Sequence, residues 1–259
     1  MRRIYYVIIF LSSSLPMANA STDSLSAGYL YNNYSDGHGY GNVVYAELKK
    51  KVDHATTVVN ITHGKRNYGN GEAWNAFRGK VTVWYDWNSI FSTRTGISVS
   101  ENTPVFARKD LQQDLSFKLI RNLLFTTGYR YANYFGDTDV NSFSGKISLY
   151  TGPVISSWRY THYNTQGKGG SYSNIISFQL NDLNGKGNTQ LWLSRGTGAY
   201  TYDWLSETHK GTLESISLRR IQPLTDRLNL GVTLGKQWYN TPIDNYSNLQ
   251  VAADFIFAF

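Results

Sequence analysis

The sequence predicts an all-β protein: a single antiparallel transmembrane β-barrel of fourteen strands, with twelve as the alternative count. Three observations carry that prediction: an alternating apolar C-terminal strand, a secretory leader at the N-terminus, and a two-residue hydrophobic period repeated between them. Leu249, Val251, Ala253, Phe255, Phe257 and Phe259 put an apolar residue at every second position up to the carboxyl terminus. In a soluble domain such a strand would be an exposed, aggregation-prone edge. In a barrel it closes the sheet and turns its apolar face to lipid.

At the other end, Arg2 and Arg3 precede an apolar stretch from Ile4 to Leu15, followed by Ala18, Asn19 and Ala20. A basic start, a short apolar core and an A-x-A site predict a signal peptide over 1–20, cut before Ser21, with 21–259 as the barrel. The apolar stretch falls short of the roughly 18–20 residues a spanning helix needs. No such run follows it, so strands must do the crossing. The chain has no cysteine, which excludes a disulfide framework and a lipoprotein anchor. Loss of Arg2 and Arg3 lowers the net charge from +7 to +5. The remaining lysines and arginines are dispersed, which argues against nucleic acid as a partner.

Each barrel strand should be about ten residues long, with apolar side chains facing lipid and polar ones facing the lumen. The first four strands are expected at 24–33, 42–50, 56–66 and 73–85. The fifth, 90–100, sets Phe91, Ile97 and Val99 against Ser92, Arg94, Gly96 and Ser98. The sixth, 105–119, alternates Leu111, Leu115, Phe117 and Leu119 with Gln112, Asp114, Ser116 and Lys118. The seventh is expected at 123–134. In the eighth, 140–151, Phe143, Ile147 and Leu149 alternate with Ser142, Ser144, Lys146 and Ser148. Strands at 154–163, 172–182, 189–202 and 212–222 follow. The last two are 228–239, where Leu228, Leu230, Val232 and Leu234 alternate with Asn229, Gly231, Thr233 and Gly235, and 246–259. A period of two sustained this often is not helical.

The connections alternate in length, as a barrel requires. Tight ones fall at Asp86 to Ser89, Ile120 to Asn122, Gly152-Pro153 and Pro223 to Arg227. Longer polar ones fall at Ser35 to Gly41, Asn67 to Glu72, Asn164 to Ser171 and Asp203 to Gly211. Short turns are periplasmic, so the longer set is extracellular. Tyrosine is frequent, at 20 residues, and clusters beside the longer loops: Tyr29, Tyr31 and Tyr34; Tyr129, Tyr131 and Tyr134; Trp158, Tyr160 and Tyr163; Tyr200, Tyr202 and Trp204; Trp238 and Tyr239. Such rings favour the bilayer interface and predict an outer girdle. Tyr163 and Tyr200 have inward parity, which would suit sugar stacking in the lumen mouth.

The strings NTPVFARKD (Asn102 to Asp110), YRYANY (Tyr129 to Tyr134), SLYTGP (Ser148 to Pro153), GGSYSN (Gly169 to Asn174), QLWLSRGTGAYTYDW (Gln190 to Trp204) and RIQPLTDRLNLG (Arg220 to Gly231) give the chain its likeness to a known family. It resembles the outer-membrane proteins of the YaiO family over nearly the whole mature sequence. The resemblance implies an outer-membrane β-barrel of a Gram-negative bacterium, exported through the periplasm. It brings no substrate and no catalytic residues. Chains of this kind also resemble those inserted by the barrel assembly machinery through a terminal aromatic strand, here Phe255, Phe257 and Phe259.

Parity then assigns the lumen. Arg78, Lys80, Arg94, Lys118, Arg130, Lys146, Arg159 and Arg219 are expected to point inward, against Glu47, Asp114 and Asp254. A pore with this lining favours anions, and the expected function is a passive channel for anionic or hydroxylated solutes, including oligosaccharides. The alternative is a non-conducting structural barrel, in which these residues form salt bridges with one another, with the loop acids Asp137, Asp139 and Glu207, or with lipopolysaccharide at the rim.

An enzyme is the third reading. His38, His63, His162 and His209 lie near outer loops, Ser171 and Ser173 follow His162, and Asp137 and Asp139 form a D-x-D. A serine hydrolase needs a base within hydrogen-bond reach of its nucleophile, and a lipid A deacylase's H-x-S does not occur. An omptin-like protease pairs D-x-D with D-x-H, and the expectation is that no D-x-H partner exists. Isolated loop histidines predict neither catalysis nor a metal site. No catalytic residue, cofactor or metal is therefore expected, and the partners expected are lipid, lipopolysaccharide and the assembly machinery.

Overall fold

A computed structural model describes residues 23–259 apart from 70, 168, 184, 198–210, 242 and 243. The expected leader, together with Tyr200, Tyr202, Trp204, Glu207 and His209, lies outside the described residues. Fourteen strands run in chain order: β1 Ser24–Tyr34, β2 Tyr40–Val52, β3 Ala55–Asn67, β4 Ala73–Asp86, β5 Phe91–Ser100, β6 Lys109–Ile120, β7 Leu123–Tyr134, β8 Thr138–Thr151, β9 Val154–Thr165, β10 Gly169–Asn181, β11 Asn188–Thr197, β12 Thr212–Pro223, β13 Leu228–Asn240 and β14 Asn245–Ala258. Each pairs antiparallel with its sequence neighbours, and β14 pairs with β1, from Ser24 opposite Ala258 to Tyr34 opposite Asn248. Closure leaves no free strand edge, so each backbone N–H and C=O of the wall has a neighbour to bond. No described helix is long and apolar enough to cross a membrane.

The apolar parity residues face outward. Leu25, Ile61, Phe77, Ile97, Val99, Phe143, Leu249, Val251, Phe255 and Phe257 are all exposed, as a lipid-facing band requires. The C-terminal strand seals the seam, and the Phe259 N–H adds a last bond to the Asp23 carbonyl at 3.0 Å.

Two expectations need correction. The aromatic clusters do not form a single girdle. Tyr29, Tyr31, Tyr129, Trp158, Tyr160 and Trp238 are exposed on the outer wall, whereas Tyr34, Tyr134, Tyr163 and Tyr239 are buried on the lumen side. Tyr34 is an odd number of residues from Tyr29 and Tyr31, and in a strand an odd offset changes face. The second correction is larger. The sixth strand begins at Lys109, not 105, because 101–108 leaves the wall and folds into the barrel. Pro104 lacks the N–H a ladder needs, and Val105 and Phe106 bury against Leu30, Val43, Ala76 and Ala252 of β1, β2, β4 and β14.

Gly64 on β3 makes this inward loop fit. A Cβ there would lie 2.5 Å from the Phe106 ring and 2.8 Å from Val105, so the ring occupies space a side chain would fill. The loop is held at both ends. The Phe77 N–H donates to Glu101 Oε2 at 3.1 Å, the Arg108 N–H donates to the Asn133 carbonyl at 2.8 Å, and the Arg108 guanidinium pairs with Asp137 at 2.7 Å. Above it the mouth is lined by Tyr34, Tyr68, Tyr239 and Tyr246. Arg66, fully buried, stacks at 3.7 Å over Tyr34 and donates to the carbonyls of Tyr40, Asn67 and His38.

Candidate functional site

The inward face of β4–β9 carries six cations: Arg78 and Lys80 on β4, Arg94 on β5, Arg130 on β7, Lys146 on β8 and Arg159 on β9. Two carboxylates on β6 answer them. Asp114, 4 % exposed, accepts from Arg94 at 3.5 Å, Arg159 at 3.2 Å and Gln112 at 3.3 Å. Asp110 accepts from Arg130, whose Nε lies 2.9 Å away. Asp110 is not among the residues expected in the lumen, yet it shares the parity of Gln112 and Asp114, and that parity is the signal that finds it. Arg66 shares the inward parity of Thr62 and Gly64 and is found in the same way.

Across the lumen the charges nearly balance. Arg219 on β12 donates to Asp254 on β14 at 2.8 Å and to Thr233 at 3.3 Å, while Glu47 on β2 accepts from Asn60 at 3.3 Å. Around them lie amides rather than ions. Asn248 and Gln250 converge on Asn32, and both also reach Gln237. Lys118 stands apart from both walls, exposed at the end of β6.

Arg78 connects the basic wall to the inward loop. Its guanidinium lies 4.7 Å from the Phe106 ring and donates to Thr62 Oγ1 at 3.3 Å. Lys80 and Lys146 have no carboxylate within ion-pair distance among the described residues. The charges around Lys80 are Arg94, Asp110, Arg78, Arg130 and, from β2, Glu47, and those around Lys146 are Arg159, Asp114 and Arg94.

The hydrolase candidates do not assemble. His162 pairs in register with Tyr172, and both point outward, whereas Ser171 and Ser173 are buried on the lumen side. Adjacent strand positions face opposite ways, so the barrel wall separates this histidine from both serines. His63 also packs outside, 4.5 Å from Phe77. The sequence does contain a D-x-H, at Asp36-Gly37-His38, which corrects the expectation that this motif is missing. Its histidine contacts Asp244 at 2.9 Å and stacks at 4.2 Å on Tyr246. The D-x-D finds other partners: Asp137 pairs with Arg108, and Asp139 accepts from Tyr131 and Asn133. Among the described residues no three His, Asp or Glu side chains converge as a metal site.

Several solved structures share this fold. A bacterial polysaccharide outer membrane secretin matches with a TM-score of 0.57 at 10% identity, covering 92% of this chain and 98% of that one. The CymD monoaromatic hydrocarbon channel matches with a TM-score of 0.64 at 7% identity, covering 92% and 88%. OprD of Pseudomonas aeruginosa gives 0.51 at 8% identity, covering 92% and 95%. At these identities the likeness is one of fold. The profile of the YaiO membrane beta barrel domain matches residues 22–203, and the chain accordingly belongs to the YaiO family of outer-membrane β-barrel proteins.

Proposed function

We propose that this barrel is a passive channel favouring anionic and hydroxylated solutes, among them acidic oligosaccharides. The observation that carries the reading is the imbalance on the β4–β9 wall, where six cations face the lumen with Asp110 and Asp114 on the same wall, and Glu47 from β2 near Lys80, to offset them. Fixed charge beside a low-dielectric wall raises the local concentration of counter-ions and selects them from co-ions. The loop 101–108 narrows the lumen beside this wall, so a solute passing Phe106 meets Arg78 next. A polysaccharide secretin and a hydrocarbon channel of similar fold support a barrel that admits solutes.

The ion pairs favour a second reading, a structural barrel, for part of the same residue set. Arg94, Arg130, Arg159 and Arg219 each have a carboxylate and brace the wall. Bracing does not account for Lys80 and Lys146. Recording from refolded protein in planar bilayers under a KCl gradient tests the channel: stepwise conductance with a reversal potential of anionic sign is expected. A silent bilayer, or cation preference, overturns it.

Delivery to the membrane belongs to the same proposal. Residues 1–20 direct export, the Phe255, Phe257 and Phe259 strand is read by the assembly machinery, and the exposed outer wall meets lipid and lipopolysaccharide.

A further inference from the structure

The cations of the β4–β9 wall are not equivalent. Asp114 is shared by Arg94 and Arg159, and Asp110 is taken by Arg130, which leaves both lysines of the wall without an ion pair. Both lie within electrostatic range of Arg94, and across the five strands the cations outnumber the carboxylates that reach them, Asp110 and Glu47 near Lys80 and Asp114 near Lys146. Holding them so costs free energy that a multivalent anion bound among them would offset.

Other groups of the same wall also lack partners. The Nε–H donors of Arg78, Arg94 and Arg159 are buried and have no protein acceptor. The Arg94 and Arg159 side chains remain 14 % and 18 % accessible, so the site is partly desolvated yet reachable from the lumen. Hydroxyls stand beside the lysines in register, with Ser98 opposite Lys80 and Thr126 opposite Lys146. Ammonium groups, guanidinium N–H donors and hydroxyls together match a solute that carries separated anionic groups on a hydroxylated frame.

We infer that Lys80 and Lys146, on either side of Arg94, form a discrete binding site for a polyhydroxylated solute with at least two anionic groups, the chemistry of an acidic oligosaccharide. The inference rests on the proposed lumen function but not on conduction. Arg94 and Arg159 are held by Asp114 and present their remaining donors, while the two lysines supply the charge that a ligand neutralises. Arg78, against Phe106, forms the edge nearest the inward loop.

The test is calorimetric titration of the refolded full-length barrel in detergent with trigalacturonic acid, and with maltotriose as the neutral match. Saturable binding of the acidic trimer alone, weakening as salt rises, is expected. Loss of one charge-assisted contact lowers affinity by roughly tenfold, so Lys80→Gln with Lys146→Gln should lose about two such factors, and Lys80→Arg should retain binding. Equal binding of maltotriose, or no saturable binding of the acid, overturns the site without any variant having to fold. Unchanged affinity in the folded double variant overturns it as well. Anion conductance without trimer binding removes the site and leaves the channel; trimer binding in a silent barrel removes the channel and leaves the site.

Discussion

Asp114 on β6 accepts a hydrogen bond from Arg159 on β9 at 3.2 Å, across two intervening strands. The register shows how the guanidinium reaches that far. Asp114 lies opposite Gly128, Gly128 opposite Ser144, and Ser144 opposite Thr161, two residues from Arg159. Glycine and serine keep the inner surface of β7 and β8 low at this level, so the arginine lies along the wall instead of standing into the lumen. Arg94 approaches the same carboxylate oxygen from β5.

Asp114→Ala should therefore cost more than a single surface ion pair. Removing one member of a buried pair typically costs about 3–5 kcal/mol because the other charge is left behind. Here the two arginines are partly wet, which lowers the expectation to about 2–4 kcal/mol. Urea unfolding in lipid vesicles, followed by tryptophan fluorescence, reads the difference. A loss below about 0.5 kcal/mol would show that the pairs are ornaments of a water-filled lumen.

Gly128→Ala tests the same arrangement from the packing side. Its Cβ would sit 2.2 Å from Asp114 Oδ1 and 2.9 Å from Ser144 Oγ, so the carboxylate must turn away from its arginines. Overpacking of this kind costs about 1–3 kcal/mol. In the Asp114→Ala background most of the penalty should go, because the nearer clashing group is gone and only the Ser144 hydroxyl must still turn aside. Additive losses in that cycle would place the effect in the backbone instead.

The contrast between the wall and the loop shows what period-two reading detects. Most strands keep their parity along the wall, β6 losing it at a register shift between Phe117 and Ile120, so residues as distant as Lys80 and Arg219 can be assigned a face from alternation alone, and fourteen strands follow from counting such segments. Val105 and Phe106 defeat the same reasoning. They are apolar, and apolar residues in a barrel sequence are read as lipid-facing, yet these two pack on inward residues of four other strands. Hydrophobicity records removal from water, not the side of the wall on which it occurs. Pairing is hidden for another reason: that Asp114 serves two arginines depends on register and on the small residue at Gly128, and neither appears in a list of charges.

Asp182, in the turn between β10 and β11, offers a pH test outside the spanning segments. Arg220 donates to both of its oxygens, at 2.7 and 2.6 Å, and these bonds hold its carboxyl below the usual carboxylate range. A depressed value stabilises the folded state above the ordinary carboxylate pKa, and that contribution is lost as pH falls through the lowered one. Carbon-detected NMR titration of Asp182 should give a midpoint below that of an unpaired aspartate. Arg220→Gln should return it to the ordinary range, and an unmoved midpoint would remove Arg220 as the cause.

Deletion of Phe259 separates recognition during assembly from stability afterwards. The ring is exposed, and in the described structure the residue ties to the wall by its N–H bond to Asp23. Loss of one such bond costs about 1 kcal/mol, too little to unfold a closed barrel. Refolding into detergent should therefore proceed nearly unchanged, while heat-modifiable protein in the outer membrane of expressing cells should fall several-fold. Equal losses in both settings would make Phe259 a structural residue and not an assembly signal.

The inward loop gives the last test, because Phe106 lies against Arg78 at the edge of the basic wall. Phe106 fills the space over Gly64 and contacts the Arg78 guanidinium, so either residue should control where the loop lies. Gly64→Leu places a branched side chain where the ring now sits and forces the loop off β3. Phe106→Ala instead leaves the loop in place and opens the space beside Arg78. Truncating a buried aromatic costs about 3–5 kcal/mol, but the hydrogen-bonded wall closes without the loop, so both variants should still fold. Each should raise single-channel conductance above that of the parent barrel while keeping the anionic reversal potential, since neither removes a charge from β4–β9. If conductance is unchanged in both, the loop does not limit the pore; if anion preference is lost while conductance rises, the loop and not the Lys80–Lys146 wall is the filter.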